Sequence, residues 1–155
     1  MGKLVKGLAL SAVASSVVMA GGYKIPEQSI NSMALSAAYV AHTSGADTNY
    51  HNPANMAFMT ADRSYVEGGL TLAHLPSNEY TLMDPISGES ETEDILIPFF
   101  HAVAPARGAG RWGVSLVAPG GLPQRWETTY QQAVAEEFTL KVVELNPAAA
   151  KQLTA

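Results

Sequence analysis

Four histidines, His42, His51, His74 and His101, are the side chains best equipped to hold a metal ion or move a proton. Their spacing matches no metal-ligand motif, so no metal site is expected. Glu89, Glu91, Glu93 and Asp94 could attract calcium, but the run lacks the glycine-punctuated ligand order of a calcium loop and reads as a solvated loop. No Gly-x-Ser-x-Gly elbow presents a nucleophilic serine, and the chain contains no cysteine. Disulfides, thiol catalysis and thiolate metal sites are therefore excluded. The residues point to no reaction: neither an enzyme nor a cofactor is expected.

Two other groups stand out by type. Asn52, Pro53 and Ala54 place a capping residue ahead of a proline at the first helical position, where the missing N–H costs nothing. Their expected role is structural, with a gating role as the sharper alternative. Trp112, Trp126 and Tyr130 suit either a membrane–water interface or the packing of a soluble sheet.

The elements that would position these residues begin with an export leader. Lys3 and Lys6 precede an apolar stretch, Leu8 to Met19, which ends in Val18-Met19-Ala20 before Gly21-Gly22. That run is shorter than the roughly twenty apolar residues a spanning helix needs, and its small residues suit signal peptidase. Residues 1–20 are read as a cleaved signal peptide. Their removal takes the formal charge from −5 to −7, an acidic balance that argues against nucleic acid. Charged residues are only 15% of the chain, against about 25% in typical soluble domains, and no long apolar run compensates.

Past the leader, residues 28–41 fit a helix with Ile30, Met33, Ala34, Ala37 and Ala41 on one face. A turn at 44–47 and a short helix from Pro53 to about Met59 follow. Period-two alternation then takes over. Val66, Gly68, Leu70 and Leu72 share one face of a first strand. Ile95 to Ala104 makes a second, in which Pro98 suggests a bulge or sheet edge. Trp112, Val114 and Leu116 mark a third, and Phe138, Leu140 and Val142 a fourth that approaches Asn146-Pro147. Long polar connections (77–94, 119–134) alternate with a short turn at 107–110. Apolar-faced segments of about ten residues joined in this rhythm are the signature of an outer-membrane barrel.

The stretch Gly22-Tyr23-Lys24-Ile25-Pro26-Glu27-Gln28-Ser29, the segment Ala37-Ala38-Tyr39-Val40-Ala41 and the element Tyr50-His51-Asn52-Pro53-Ala54 resemble the FadL/TodX family of outer-membrane transport proteins. Phe100 to Pro105, Trp112 to Leu116 and Val142 to Pro147 are similar to its early strands. The resemblance implies a mainly β fold: the N-terminal part of a transmembrane antiparallel β-barrel of roughly fourteen strands, with a small helical plug, or hatch, over 21–61. Residues 62–155 would supply about four strands. It further implies uptake of hydrophobic molecules such as long-chain fatty acids at the outer membrane of a Gram-negative bacterium. The substrate would pass an apolar pocket and leave laterally through a gap in the wall. Outer-membrane lipid, lipopolysaccharide and the barrel-assembly machinery are the implied partners. Four strands cannot close a barrel, so within this resemblance the sequence is a fragment or truncated form. A small soluble periplasmic β-protein that binds a ligand or partner is the competing expectation.

Overall fold

Strand propensity and period-two patterning carry most of the fold. The structure, a computed structural model, describes residues 24–153 apart from Leu82, Asp84 and Pro85; the expected leader lies outside these residues. The strands are β1 (Tyr65–Leu75), β2 (Glu79–Tyr80), β3 (Gly88–Glu89), β4 (Glu93–Val103), β5 (Gly110–Gly120), β6 (Gln124–Arg125), β7 (Glu137–Phe138) and β8 (Val142–Lys151). The four long ones form a single antiparallel sheet in the order β1-β4-β5-β8, each strand beside its neighbour in the chain. An eleven-residue strand such as β1 is about 36 Å long and, tilted at about 45°, spans about 25 Å, the height of an outer-membrane apolar band.

The sheet is built inside out. Val66, Leu70 and Leu72 on β1, Leu96 and Phe100 on β4, Trp112, Val114 and Leu116 on β5, and Val143 and Leu145 on β8 share one exposed face, with Leu70 69% and Leu145 67% accessible. The opposite face carries Glu67, Thr71, His101, Arg111, Ser115, Glu144 and Asn146, of which His101 and Ser115 have no accessible surface. Water would not tolerate so broad a bare apolar face; a bilayer would favour it.

Residues 24–61 lie across the polar face. Their helices are short: α1 (Ile30–Ala34), α2 (Thr48–His51) and a 3-10 turn (Pro53–Phe58). The helix expected over 28–41 stops at Ala34 because Ser36 and Ala37 turn left-handed, with φ of 49° and 66°. Ala37 N–H then bonds Ser32 O and Ser36 N–H bonds Met33 O, the pair of contacts that closes a helix in a Schellman motif. Nor does its apolar face turn inward. Ile30 is 61% exposed, while Ser29, which caps α1 by accepting from Ser32 N–H, is buried with Ser32. Met56 with Ala46 and Val103 forms the small apolar core beneath the segment.

Two strand expectations are corrected. The fourth strand begins at Val142, runs through Asn146-Pro147 to Lys151, and exposes Val143 and Leu145; Phe138 lies instead on β7, paired with β6. Pro98 makes no bulge against β1, where the register is unbroken from Leu75↔Glu93 to Tyr65↔Val103. It acts on the other side, toward β5, as described below. The turn between β4 and β5 closes on Arg107 and Gly110, with Gly108 at φ 61°, a backbone glycine adopts without strain.

The two long connections form a second layer above one end of the sheet. Ser90 bridges Trp126, Glu91 N–H bonds Arg125 O, and Gln131 Nε2 donates to Ile86 O. α3 (Thr129–Gln132) belongs to this layer. Arg125 stands among Glu91, Glu93 and Glu137 at 4.0, 3.6 and 3.7 Å; the exposed pairs with Glu91 and Glu137 are worth at most about 1 kcal/mol each, while Glu93 is largely covered. A hydrogen bond from Thr139, then the nearby Arg125, holds the Glu137 carboxyl below its ordinary range.

Candidate functional site

The polar face of the sheet and the underside of residues 24–61 meet in a buried hydrogen-bond network. His101 Nε2 lies 2.6 Å from Gln28 O. A carbonyl only accepts, so Nε2 carries the proton and Nδ1 of the neutral ring accepts from Ser115 Oγ, 2.8 Å away. Ser115 Oγ in turn accepts from Asn49 Nδ2 at 2.8 Å, and the same amide donates to Asn146 O at 3.0 Å. One fixed donor–acceptor order therefore ties α2 and Gln28 to β4, β5 and β8. Asn49 comes this close because position 113, beneath it on β5, is glycine.

Asp47 is the buried acidic side chain beside this network. Its carboxylate accepts from Tyr39 Oη and Asn31 Nδ2, both at 3.2 Å, and among the described residues it makes no ion pair. His51 follows one helical turn later and stacks edge-on against Tyr39 and Tyr50. Burial pushes the His51 imidazole below its ordinary value; Asp47 opposes the shift and His101 adds to it. Since the unfolded chain binds that proton more readily, stability rises with pH between the lowered folded value and about 6.5. Residues 24–61 should therefore loosen as pH falls through about 6.5. Protease accessibility of this segment at pH 7.5 and 5.5 checks this, and a His51→Gln protein should lose part of the dependence.

A cleft of about 430 Å³ opens between this segment and β8, lined by Lys24, Ile25, Gln28, Tyr50, His51 and Glu144 among others. Lys24 Nζ donates to Glu144 Oε2 at 3.1 Å and to Tyr50 Oη at 3.3 Å. Burial lowers the Lys24 pKa, but these hydrogen bonds outweigh it and the net shift is upward; burial also raises that of Tyr50. At the opposite end, buried Arg111 donates to Ala61 O at 3.0 Å and to Thr60 O, holding the last residues of the segment against β5.

The wall itself is interrupted. Pairing between β4 and β5 runs from Val103↔Gly113 to Phe99↔Val117 and stops. Continuing that register, the next two rungs would be Pro98 opposite Ala118 and Ile97 opposite Pro119. Each contains a residue with no N–H to give. Beyond them β4 continues against β1, and β5 bulges against β8 between Val117 and Gly120. The strands part around an opening of about 220 Å³, lined by Leu96 and Val143 from the outer face and by buried Ile97 from the inner face. Ile25 lines both this opening and the cleft, and its N–H is held by Pro119 O at 2.9 Å.

A family model described as outer membrane protein transport protein (OMPP1/FadL/TodX) matches residues 11–155. The chain belongs to this family. FadL/TodX proteins are outer-membrane proteins of Gram-negative bacteria that carry hydrophobic compounds, transporters rather than enzymes. No match was found among curated proteins or solved structures.

For a FadL/TodX protein the singled-out residues fall as follows. Asn52 does not cap the 3-10 turn; its amide donates to Val40 O at 2.9 Å, stapling the turn to the preceding loop. Pro53 opens that turn and Ala54 is exposed. The histidines divide: His51 and His101 share the buried interior, while His42 is exposed. His74 pairs with Asp94 at 2.8 Å on the outer face above Leu72 and Leu96. Among the described residues no three His, Asp or Glu groups are placed to hold a metal. Trp112 projects from the outer face, 65% exposed, as an interfacial anchor would; Trp126 and Tyr130 belong to the loop layer. Sequence reading missed Asp47, Asn49 and Ser115. The signals available were the four-residue spacing of Asp47 and His51, and the position of Ser115 opposite the apolar face of its strand.

Proposed function

We propose that this chain forms the opening part of a passive outer-membrane route for hydrophobic molecules such as long-chain fatty acids. Residues 21–61 act as the plug, and the four long strands are the first wall segment of a barrel whose remaining strands satisfy the free edges of β1 and β8. Residues 1–20 direct export and are cleaved. Asn52, Pro53 and Ala54 hold the plug's lower turn in place, and the barrel-assembly machinery inserts the wall among lipid and lipopolysaccharide.

The observation that carries this reading is the opening beside Pro98, where the β4–β5 ladder stops, with Ile25 lining both it and the cleft. A molecule in the cleft has a short apolar path into the membrane, so it never crosses the polar headgroups or bulk water. Net reaction chemistry is not required. The outward face of Leu70, Leu72 and Leu145 stands against a soluble periplasmic protein.

The test is uptake by cells lacking their own long-chain fatty acid route. Cells producing the full-length protein should accumulate labelled oleate several-fold faster than control cells, with the protein recovered in the outer membrane. Uptake equal to the control, with the protein correctly placed, would defeat the proposal.

A further inference from the structure

The outer face carries an apolar groove at the end of the sheet nearest the β4–β5 turn, about 460 Å³ in volume. Its shape follows from the cross-strand rows. Ala102 lies between Val66 and Val114, and Ala104 beside Trp112, so small side chains on β4 form a floor between larger walls. Phe100 lies one row further along the same face, beyond the groove. Just past the lower end stand three exposed cations. Arg63 precedes Ser64, which lines the groove; Arg107 bridges Gly110; and Lys151 pairs with Gly110 one row below Trp112. Among the described residues none of the three makes an ion pair, whereas Lys24 and Arg125 both do. Asp62 is the carboxylate on this rim. The opposite end of the sheet is acidic, with Asp94, Glu79, Glu89, Glu91, Glu127 and Glu136.

We propose that this groove is a binding site for an anionic glycerophospholipid, one acyl chain lying over Ala102 and Ala104 and the phosphate meeting Arg63, Arg107 and Lys151. The inference rests on the outward face being lipid-facing and is independent of transport. An apolar trough, an exposed indole at its margin and unpaired cations just beyond match the three zones of a lipid in depth order: chain, glycerol level, phosphate. Short turns face the periplasm in barrels of this kind, so the lipid belongs to the inner leaflet, where phospholipid resides. Each cation near an anionic surface contributes about 1 kcal/mol, a factor of about five.

The test uses the full-length protein in which every tryptophan other than Trp112 is replaced by phenylalanine, Trp126 among them, reconstituted in phosphatidylcholine vesicles, with Trp112 fluorescence as the reporter. Bromine-labelled chains are placed either on phosphatidylcholine or on phosphatidylglycerol. Phosphatidylglycerol should quench Trp112 at least about threefold more effectively per mole fraction. Arg63→Ala, Arg107→Ala and Lys151→Ala together should bring that ratio to about one while quenching by phosphatidylcholine persists, which reports intact insertion. Replacing the same residues by Lys, Lys and Arg should retain the preference, and Ala102→Leu, which fills the floor, should reduce it. Equal quenching by both lipids in the parent overturns the proposal. So does a preference that survives the triple alanine variant, or a Trp112 that neither lipid quenches.

Discussion

Replacing Gly113 by valine should release residues 45–58 from the wall without unfolding the strands. A Cβ at position 113 would lie 2.7 Å from Asn49 Cγ, inside the closest distance real side chains tolerate, and 3.0 Å from its Cβ, tighter than nearly all real contacts. Asn49 cannot swing aside freely, because its amide is committed to Ser115 Oγ and Asn146 O. Displacing it breaks both bonds: the buried Asn49 amide loses its two acceptors and Ser115 Oγ keeps only His101, a combined cost of about 2–4 kcal/mol. Hydrogen exchange at the α2 amides should accelerate about 30- to 1,000-fold, while amides of the β1–β4 ladder exchange at their former rate. A double variant with Asn49→Ala should be less than additive, since part of the collision is gone. Unchanged α2 exchange in Gly113→Val would show that Asn49 does not hold this segment.

Filling the wall opening should stop passage while leaving the protein in place. Ala118 sits at its margin, at the first rung that β4 and β5 fail to make. Ala118→Trp puts an indole into about 220 Å³ of apolar space, where burial of the ring is favourable. Oleate uptake should fall at least about tenfold, a barrier increase of about 1.4 kcal/mol or more. Leu70→Trp, on the same outer face but within an unbroken ladder, should transport normally. Ile25→Ala, which thins the partition between cleft and opening, should raise uptake by several-fold. Parental uptake by Ala118→Trp at equal outer-membrane abundance would place the exit elsewhere.

The strands were legible because period-two alternation survives any burial scheme. Trp112, Val114 and Leu116 share a face whether that face meets lipid or a core. What alternation cannot say is which face is wet, and the inside-out burial of His101 and Ser115 comes from residues 24–61 lying over the polar side. The fourth strand was misplaced because Phe138, Leu140 and Val142 extend the same alternation backwards through a loop, where pairing of Phe138 with Gln124 takes over. Residues 28–41 read as helix from their spacing, yet the chain turns left-handed at exposed Ser36 and Ala37, where no glycine marks the stop in the sequence. The network was invisible for a related reason. Asn49, His101 and Ser115 are far apart in the chain, and only the β4–β5 register brings the last two side by side. Pro98 suggests a bulge or sheet edge from its missing N–H, but the ladder to β1 runs through it unbroken, and the loss falls on the β5 side, where Pro119 stands one rung away.

The unmade rungs at Pro98 and Pro119 carry a mechanical consequence. Elsewhere in a sheet, a parted pair of strands re-forms its hydrogen bonds once the disturbance passes. Here the missing N–H groups are a property of the covalent chain, so the seam has no zipped state to return to. On the proposed route no ladder can close this seam, and the backbone hydrogen bond from Ile25 N–H to Pro119 O stands at its threshold.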